Sequence, residues 1–148
     1  MVRFSLLDGP DSIPVEKRVT LLKWLSKEWI DEVVRLAADQ PERAGATARI
    51  QYVVEVPDGD DINYYWIVEN GKLVESDLGE LDGAEITLIQ SYEDAMKIQK
   101  QQLDANAAFM QGKIKVEGNI GKLMSLLPVT NSAEYRELQK TILEVTAF

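Results

Sequence analysis

The sequence predicts an α+β fold, a mainly antiparallel sheet of five strands with helices covering one face. Three observations carry that prediction. Segments 47–56 and 62–69 alternate apolar and polar residues with a period of two, as half-buried strands do. Segments near both ends of the chain repeat apolar residues at helical spacing. Between them, Gly112–Met124 reads as a short strand with two lysines on one face and aliphatics on the other, then a glycine-punctuated turn into a helix.

Taken in order, residues 1–14 form an N-terminal extension, and Pro14 suits the first turn of a helix over 15–39. Leu22, Leu25, Trp29, Val33 and Leu36 fall at helical spacing there, and Pro41 ends the helix because proline disfavours α geometry in the residue before it. In the first strand Ile50, Tyr52, Val54 and Val56 share one face, opposite Arg49, Gln51, Val53 and Glu55. Pro57-Asp58-Gly59-Asp60-Asp61 is turn chemistry. The second strand sets Ile62, Tyr64, Trp66 and Val68 against Asn63, Tyr65, Ile67 and Glu69. Asn70-Gly71 then predicts a tight hairpin, because both residues tolerate positive φ, into a third strand Lys72–Ser76.

A fourth strand is expected over Ala84–Gln90. Ser91 with Asp94 resembles a capping box for a helix through about Gln102, and Asp104 can cap a second helix over Ala105–Gln111 that Gly112 closes. Lys113–Glu117 is the fifth strand. Asn119 caps a helix of about two turns that Pro128 should stop, and Asn131 with Glu134 should open a last helix over 131–145. Tyr135, Leu138, Ile142 and Val145 form its apolar stripe. No repeat or linker divides the chain, so residues 1–148 read as one domain.

Composition narrows the chemistry. A net charge of −9 argues against nucleic acid as a partner. The absence of cysteine removes disulfides and thiol catalysis, and the absence of histidine removes the usual acid–base group and metal ligand. Residues 1–14 lack the long apolar core of a secretory signal, no run approaches a membrane span, and Val145-Thr146-Ala147-Phe148 is no Ser-Lys-Leu-type peroxisomal address. A cytoplasmic protein without stable membrane insertion is the expectation.

No catalytic or metal-binding constellation stands out. Asp58, Asp60 and Asp61 cluster in a hairpin turn, where catalytic carboxylates would lack a dry, concave setting, and the spacing of a calcium loop is missing. No glycine pattern for phosphates supports a nucleotide cofactor. Lys113 and Lys115 read either as a solvated strand face or as partners for a ligand's acidic head group. Phe109, Met110, Ile114, Leu123, Met124, Leu126 and Leu127 crowd bulky apolar groups into a short stretch, which suits a core or an apolar ligand. Trp24 and Trp29 read first as packing residues.

Residues 46–127, and 83–124 most closely, resemble the sterol carrier protein type 2 domain family. The run Gly83-Ala84-Glu85-Ile86-Thr87-Leu88, then Tyr92-Glu93-Asp94, Leu103-Asp104 and Ala107-Ala108-Phe109-Met110-Gln111-Gly112 carries the resemblance. Its most specific block is Lys113-Ile114-Lys115-Val116-Glu117-Gly118-Asn119-Ile120-Gly121. The resemblance implies a five-stranded sheet with helices over one face, enclosing an apolar tunnel. It also implies non-catalytic binding or carrying of a fatty acid, fatty acyl-CoA, sterol or other long apolar molecule, without a cofactor or metal. The lipid-binding wall would come from Ile86, Leu88, Phe109, Met110, Ile114, Val116, Leu123, Met124 and Leu127. The C-terminal residues fit a bacterial-type stand-alone member, and the N-terminal and last helices are additions that could fill or lid the tunnel or build a homodimer face. The alternative is a structural or protein-interaction domain with the same fold and a filled cavity. An enzyme using Glu or Tyr as acid or base is a third reading.

Overall fold

The computed structural model describes residues 21–148. The expected extension 1–14, and the helix expected from residue 15 up to residue 20, lie outside the described residues.

The predicted hairpins are present. Strand β2 (Ala48–Glu55) pairs antiparallel with β3 (Ile62–Glu69), and β3 with β4 (Lys72–Leu78). Asn70 and Gly71 turn the second hairpin with φ of 50° and 83°, the geometry their sequence anticipates. Strand β5 (Ile86–Ser91) then lies parallel to β2, and β6 (Ile114–Gly118) pairs antiparallel with β5. The sheet order is β4-β3-β2-β5-β6, so the mainly antiparallel sheet has one parallel junction at its centre.

That junction forces residues 79–85 to cross the sheet, and polar side chains fix the crossing. Gln51 Nε2 donates to the carbonyls of Tyr64 and Gly79, each at 3.0 Å, and Leu81 N donates to Gln51 Oε1 at 2.7 Å. A guanidinium nitrogen of Arg49 donates to Asp82 O at 2.9 Å, and Glu85 N donates to Arg49 O at 2.8 Å. This is the polar face of β2, and Gln51 is buried there with both ends of its amide satisfied.

The other face carries helices. Helix α1 (Lys27–Leu36) is capped by Ser26 Oγ, which accepts from Trp29 N, and buries Trp29, Ile30 and Val33. Residues 21–26 are not helical, contrary to the sequence expectation. Leu22–Lys23 form a short strand, β1, parallel to β7 (Thr146–Ala147) at the far end of the chain. Leu22 N and Trp24 N donate to Val145 O and Ala147 O, and Leu25 stands at φ 65°, which a right-handed helix excludes. Leu22 and Leu25 still contribute to the core, so apolar spacing alone does not reveal their backbone.

After β5, Ser91 caps α2 (Tyr92–Gln99), which ends before Gln102 because Gln101 turns to φ 61°. Asp104 caps α3 (Ala105–Met110), and Asn119 caps α4 (Ile120–Met124). Gly118 is required at its place. Its φ is 103°, and a Cβ there would collide with the carbonyl oxygen of Glu85, where Asn119 N donates a hydrogen bond. Pro128 does not stop a helix but occupies the first turn of α5 (Leu127–Thr130), where its missing N–H costs nothing. The cap of the last helix, α6 (Ala133–Glu144), is Ser132 rather than Asn131, whose side chain instead accepts from Asn106 at 3.2 Å.

Candidate functional site: a hollow between sheet and helices

The cavity-facing rows of the strands meet in register: Ile50 opposite Trp66 and Ile86, Tyr52 opposite Tyr64 and Leu88, and Gln90 opposite Val54 and Ile114. Period-two alternation therefore delivers one continuous, mostly apolar floor. Tyr52 stacks on Tyr64 with ring centroids 4.7 Å apart and meets Trp66 edge-on at 5.4 Å. These rings are large and stiff, and they hold their part of the floor in place. Helices α1 to α6 arch over this face and leave a cavity of about 470 Å³. That is within the size range of small-molecule pockets, and far more than a packed core tolerates as voids.

Eight of the nine wall residues expected from the sequence lie around this hollow: Leu88, Phe109, Met110, Ile114, Val116, Leu123, Met124 and Leu127. Ile86 lies outside it. It is 1 % exposed and packed solidly with Ala48, Ile50, Val68 and Leu126 at the other end of the sheet. Met110, Met124 and Phe109 reach both the hollow and solvent, marking the side on which it opens. Lys113 and Lys115 are not brought to the wall. They border an open cleft with Glu55 and Asp94 that shares Gln90 with the hollow, and Lys115 pairs with Glu117 at 3.6 Å.

Sequence reasoning missed most of the wall. Trp24, Trp29 and Val33 close the hollow from the N-terminal side, and Tyr135, Gln139 and Ile142 from α6. Trp29 both packs and lines: its indole N–H donates to Thr146 Oγ1 at 2.8 Å, tying α1 to the C-terminal strand. Trp24 lies against Tyr92 and Phe148 at 5.3 and 5.5 Å. The alternation of β2 and β3 already placed Tyr52, Tyr64 and Trp66 on one face, which was the signal available for the floor.

Among the described residues no charged side chain lines the hollow. Burial raises the pKa of the Tyr52 and Tyr64 hydroxyls and pushes that of Tyr135 up to about 12, so all three stay neutral. Most remaining polar groups are paired with one another, Gln99 with Gln139 at 3.3 Å and Asn106 with Asn131 at 3.2 Å. Gln90 is different: its Oε1 is buried and, among the described residues, has no hydrogen-bond partner.

This arrangement defines an α+β fold, a mixed five-stranded sheet with helices arched over a cavity that, among the described residues, is largely apolar and without charged side chains. The chain belongs to the SCP-2 sterol transfer family, whose model matches residues 30–130. Similar solved structures include a sterol carrier protein 2 (TM-score 0.66, 15% identity, 83% of this chain and 99% of that one). A conserved hypothetical protein from Thermus thermophilus is similar over 88% and 97% of the two chains (TM-score 0.59, 16% identity). The palmitated sterol carrier protein 2-like 2 from Aedes aegypti matches over 79% and 94% (TM-score 0.52, 20% identity). No curated protein gives a significant sequence match. Among the described residues no helix is long and apolar enough to cross a membrane.

Proposed function

We propose that this protein binds and carries a long apolar molecule, of the lipid class, in the hollow between sheet and helices, without chemistry. The observation that carries this reading is the cavity of about 470 Å³ with an apolar wall. Membership of a sterol transfer family and a structural neighbour solved with palmitate support it. The binding residues on this reading are Leu88, Phe109, Met110, Ile114, Val116, Leu123, Met124 and Leu127, together with the aromatic floor. Transfer of apolar surface from water into the wall would drive binding at roughly 25 cal/mol per Å², before entropic costs are subtracted. Among the described residues the wall offers no carboxylate, thiol or imidazole to act as acid, base or nucleophile. The size of the hollow speaks against the alternative of a protein-interaction domain with a filled interior.

Native mass spectrometry of freshly purified protein, followed by titration with cis-parinaric acid, tests the reading. Trp24, Trp29 and Trp66 line the hollow and should transfer excitation energy to a bound probe. A saturable one-to-one signal is expected, and it should be lost when Leu88→Trp fills the floor. Protein that carries no lipid and takes up no probe would end the proposal.

A further inference from the structure

We infer that two copies of this chain pair through the outer edge of strand β6, antiparallel about a two-fold axis at Val116, joining their two sheets into one. The two edges of the sheet differ. Strand β4 is guarded: helix α1 packs against it, Lys27 of that helix pairs with Asp77 at 3.4 Å, and its ladder with β3 is irregular at Ile67 and Val68. Strand β6 pairs with β5 alone among the described residues. Asn119 N donates to Glu85 O, so by antiparallel alternation Glu117 and Lys115 exchange their backbone hydrogen bonds with Thr87 and Ile89. The N–H and C=O groups of Ile114 and Val116 therefore point away from the sheet, and among the described residues they have no protein partner.

An edge whose open groups lie on alternate residues can meet its own copy only in registers that set open groups against open groups. Centred on Val116, that residue exchanges both bonds with Val116 of the partner subunit, and Ile114 meets Gly118 of the partner subunit. On the polar face Lys115 then stands opposite the partner subunit's Glu117, and Glu117 opposite the partner subunit's Lys115. The next allowed slip in one direction sets Lys115 against the partner's Lys115, and in the other Glu117 against the partner's Glu117. Like charges directly opposite destabilise a strand pair, so charge selects one register among those the backbone allows. Both side chains can reach a partner, being 70% and 55% exposed. The axis stands normal to the sheet and keeps both cavity faces on one side, so α3 and α4, which precede and follow β6, approach those of the partner. These helices carry the exposed Phe109, Met110, Ile120 and Met124, whose cover would add apolar burial to the strand pairing. The homodimer face on this reading is the sheet edge and not the terminal helices, and the pairing asks nothing of what fills the hollow.

Sedimentation equilibrium of the full chain at low ionic strength, where exposed charges are least screened, reads the association. A monomer–dimer equilibrium is expected below about 1 mM, the weak end of specific association. Lys115→Glu alone and Glu117→Lys alone each create two like-charge pairs across the axis and should weaken the dimer roughly tenfold or more. Lys115→Glu/Glu117→Lys together exchange the charges and should restore it to within about threefold, a recovery that misfolding would not give. The chain has no cysteine, so cross-linking gives a second reading without background. Residues opposite each other between bonded pairs have Cα atoms about 4.5 Å apart, within reach of a disulfide. Lys115→Cys protein mixed with Glu117→Cys protein should therefore cross-link on oxidation, and either one alone far less. A protein still monomeric at about 1 mM overturns the inference. So does a dimer indifferent to the single reversals, one that the double exchange fails to restore, or cross-linking as fast in either cysteine variant alone as in the mixture.

Discussion

Two glutamines on neighbouring strands occupy opposite situations. Gln51, in the middle of the sheet, lies on the polar face of β2, and its amide closes hydrogen bonds to Tyr64, Gly79 and Leu81. Gln90, at the end of β5, lies on the cavity face with a buried oxygen that bonds to nothing among the described residues. The same side chain thus fixes the backbone on one face and is left incomplete on the other. The difference separates a polar face that fixes the backbone from a cavity face on which a polar group is left over. Gln51 holds the crossing that makes the parallel β2–β5 junction, whereas among the described residues the side-chain oxygen of Gln90 bonds to no part of the sheet.

The largest expected effect is on the polar face. Gln51→Leu would strip the partner from Leu81 N and from Gly79 O at the crossing and should destabilise the protein by about 3 kcal/mol, at one to three for each group left unsatisfied. Chemical denaturation should show the loss as a lower midpoint. A loss well under 1 kcal/mol would mean that water replaces the amide, and that Gln51 does not secure the crossing.

Strong base should act on the opposite face. Tyr52, Tyr64 and Tyr135 line the hollow, and burial raises the pKa of each, with that of Tyr135 at about 12. In the unfolded chain they ionise near the ordinary value of about 10. Above that pH the unfolded state releases protons that the folded state keeps, so stability is intact below about pH 10 and falls as pH rises towards 12. For Tyr135 alone the loss is on the order of 2 kcal/mol. Tyr65, on the polar face, also has a raised pKa, chiefly through its 2.7 Å hydrogen bond to Glu75 rather than through burial. Ultraviolet titration of the folded protein should show the wall tyrosines ionising only as the fold is lost. Reversible ionisation of all five near pH 10 would show a wet wall and remove the case for an uncharged cavity.

How much of this was legible in the sequence follows from the range over which each signal acts. Alternation over 47–56 and 62–69, the Asn70-Gly71 turn and the caps at Ser91, Asp104 and Asn119 are local, and each stands where the residues placed it. Leu22 and Leu25 misled, because their spacing suits a helix. Their backbone is decided by Thr146 and Ala147, more than a hundred residues away. The parallel junction was hidden for the same reason, since Gln51 reads as an ordinary outward-facing residue until residues 79–85 are known to pass over it. The hollow is a property of how far helices stand from a sheet, and an apolar run such as Phe109–Leu127 is the same in a filled or an empty core. Gln90 acquires its meaning only from register with Val54 and Ile114, which no local pattern supplies.

The smallest expected effect sharpens the comparison most, because its sign is opposite. In the ligand-free protein Gln90→Leu removes a buried oxygen that has no partner among the described residues and replaces the amide with apolar atoms between Val54 and Ile114. Stability should stay level or rise by up to about 1 kcal/mol, a gain of a few degrees in Tm for a chain of this length. Calorimetry of Gln90→Leu beside the unaltered protein and Gln51→Leu reads the difference. Should Gln90→Leu lower the Tm of the empty protein as Gln51→Leu does, Gln90 would be a structural residue like its neighbour, and the division between a fold-building face and a ligand-facing one would not hold.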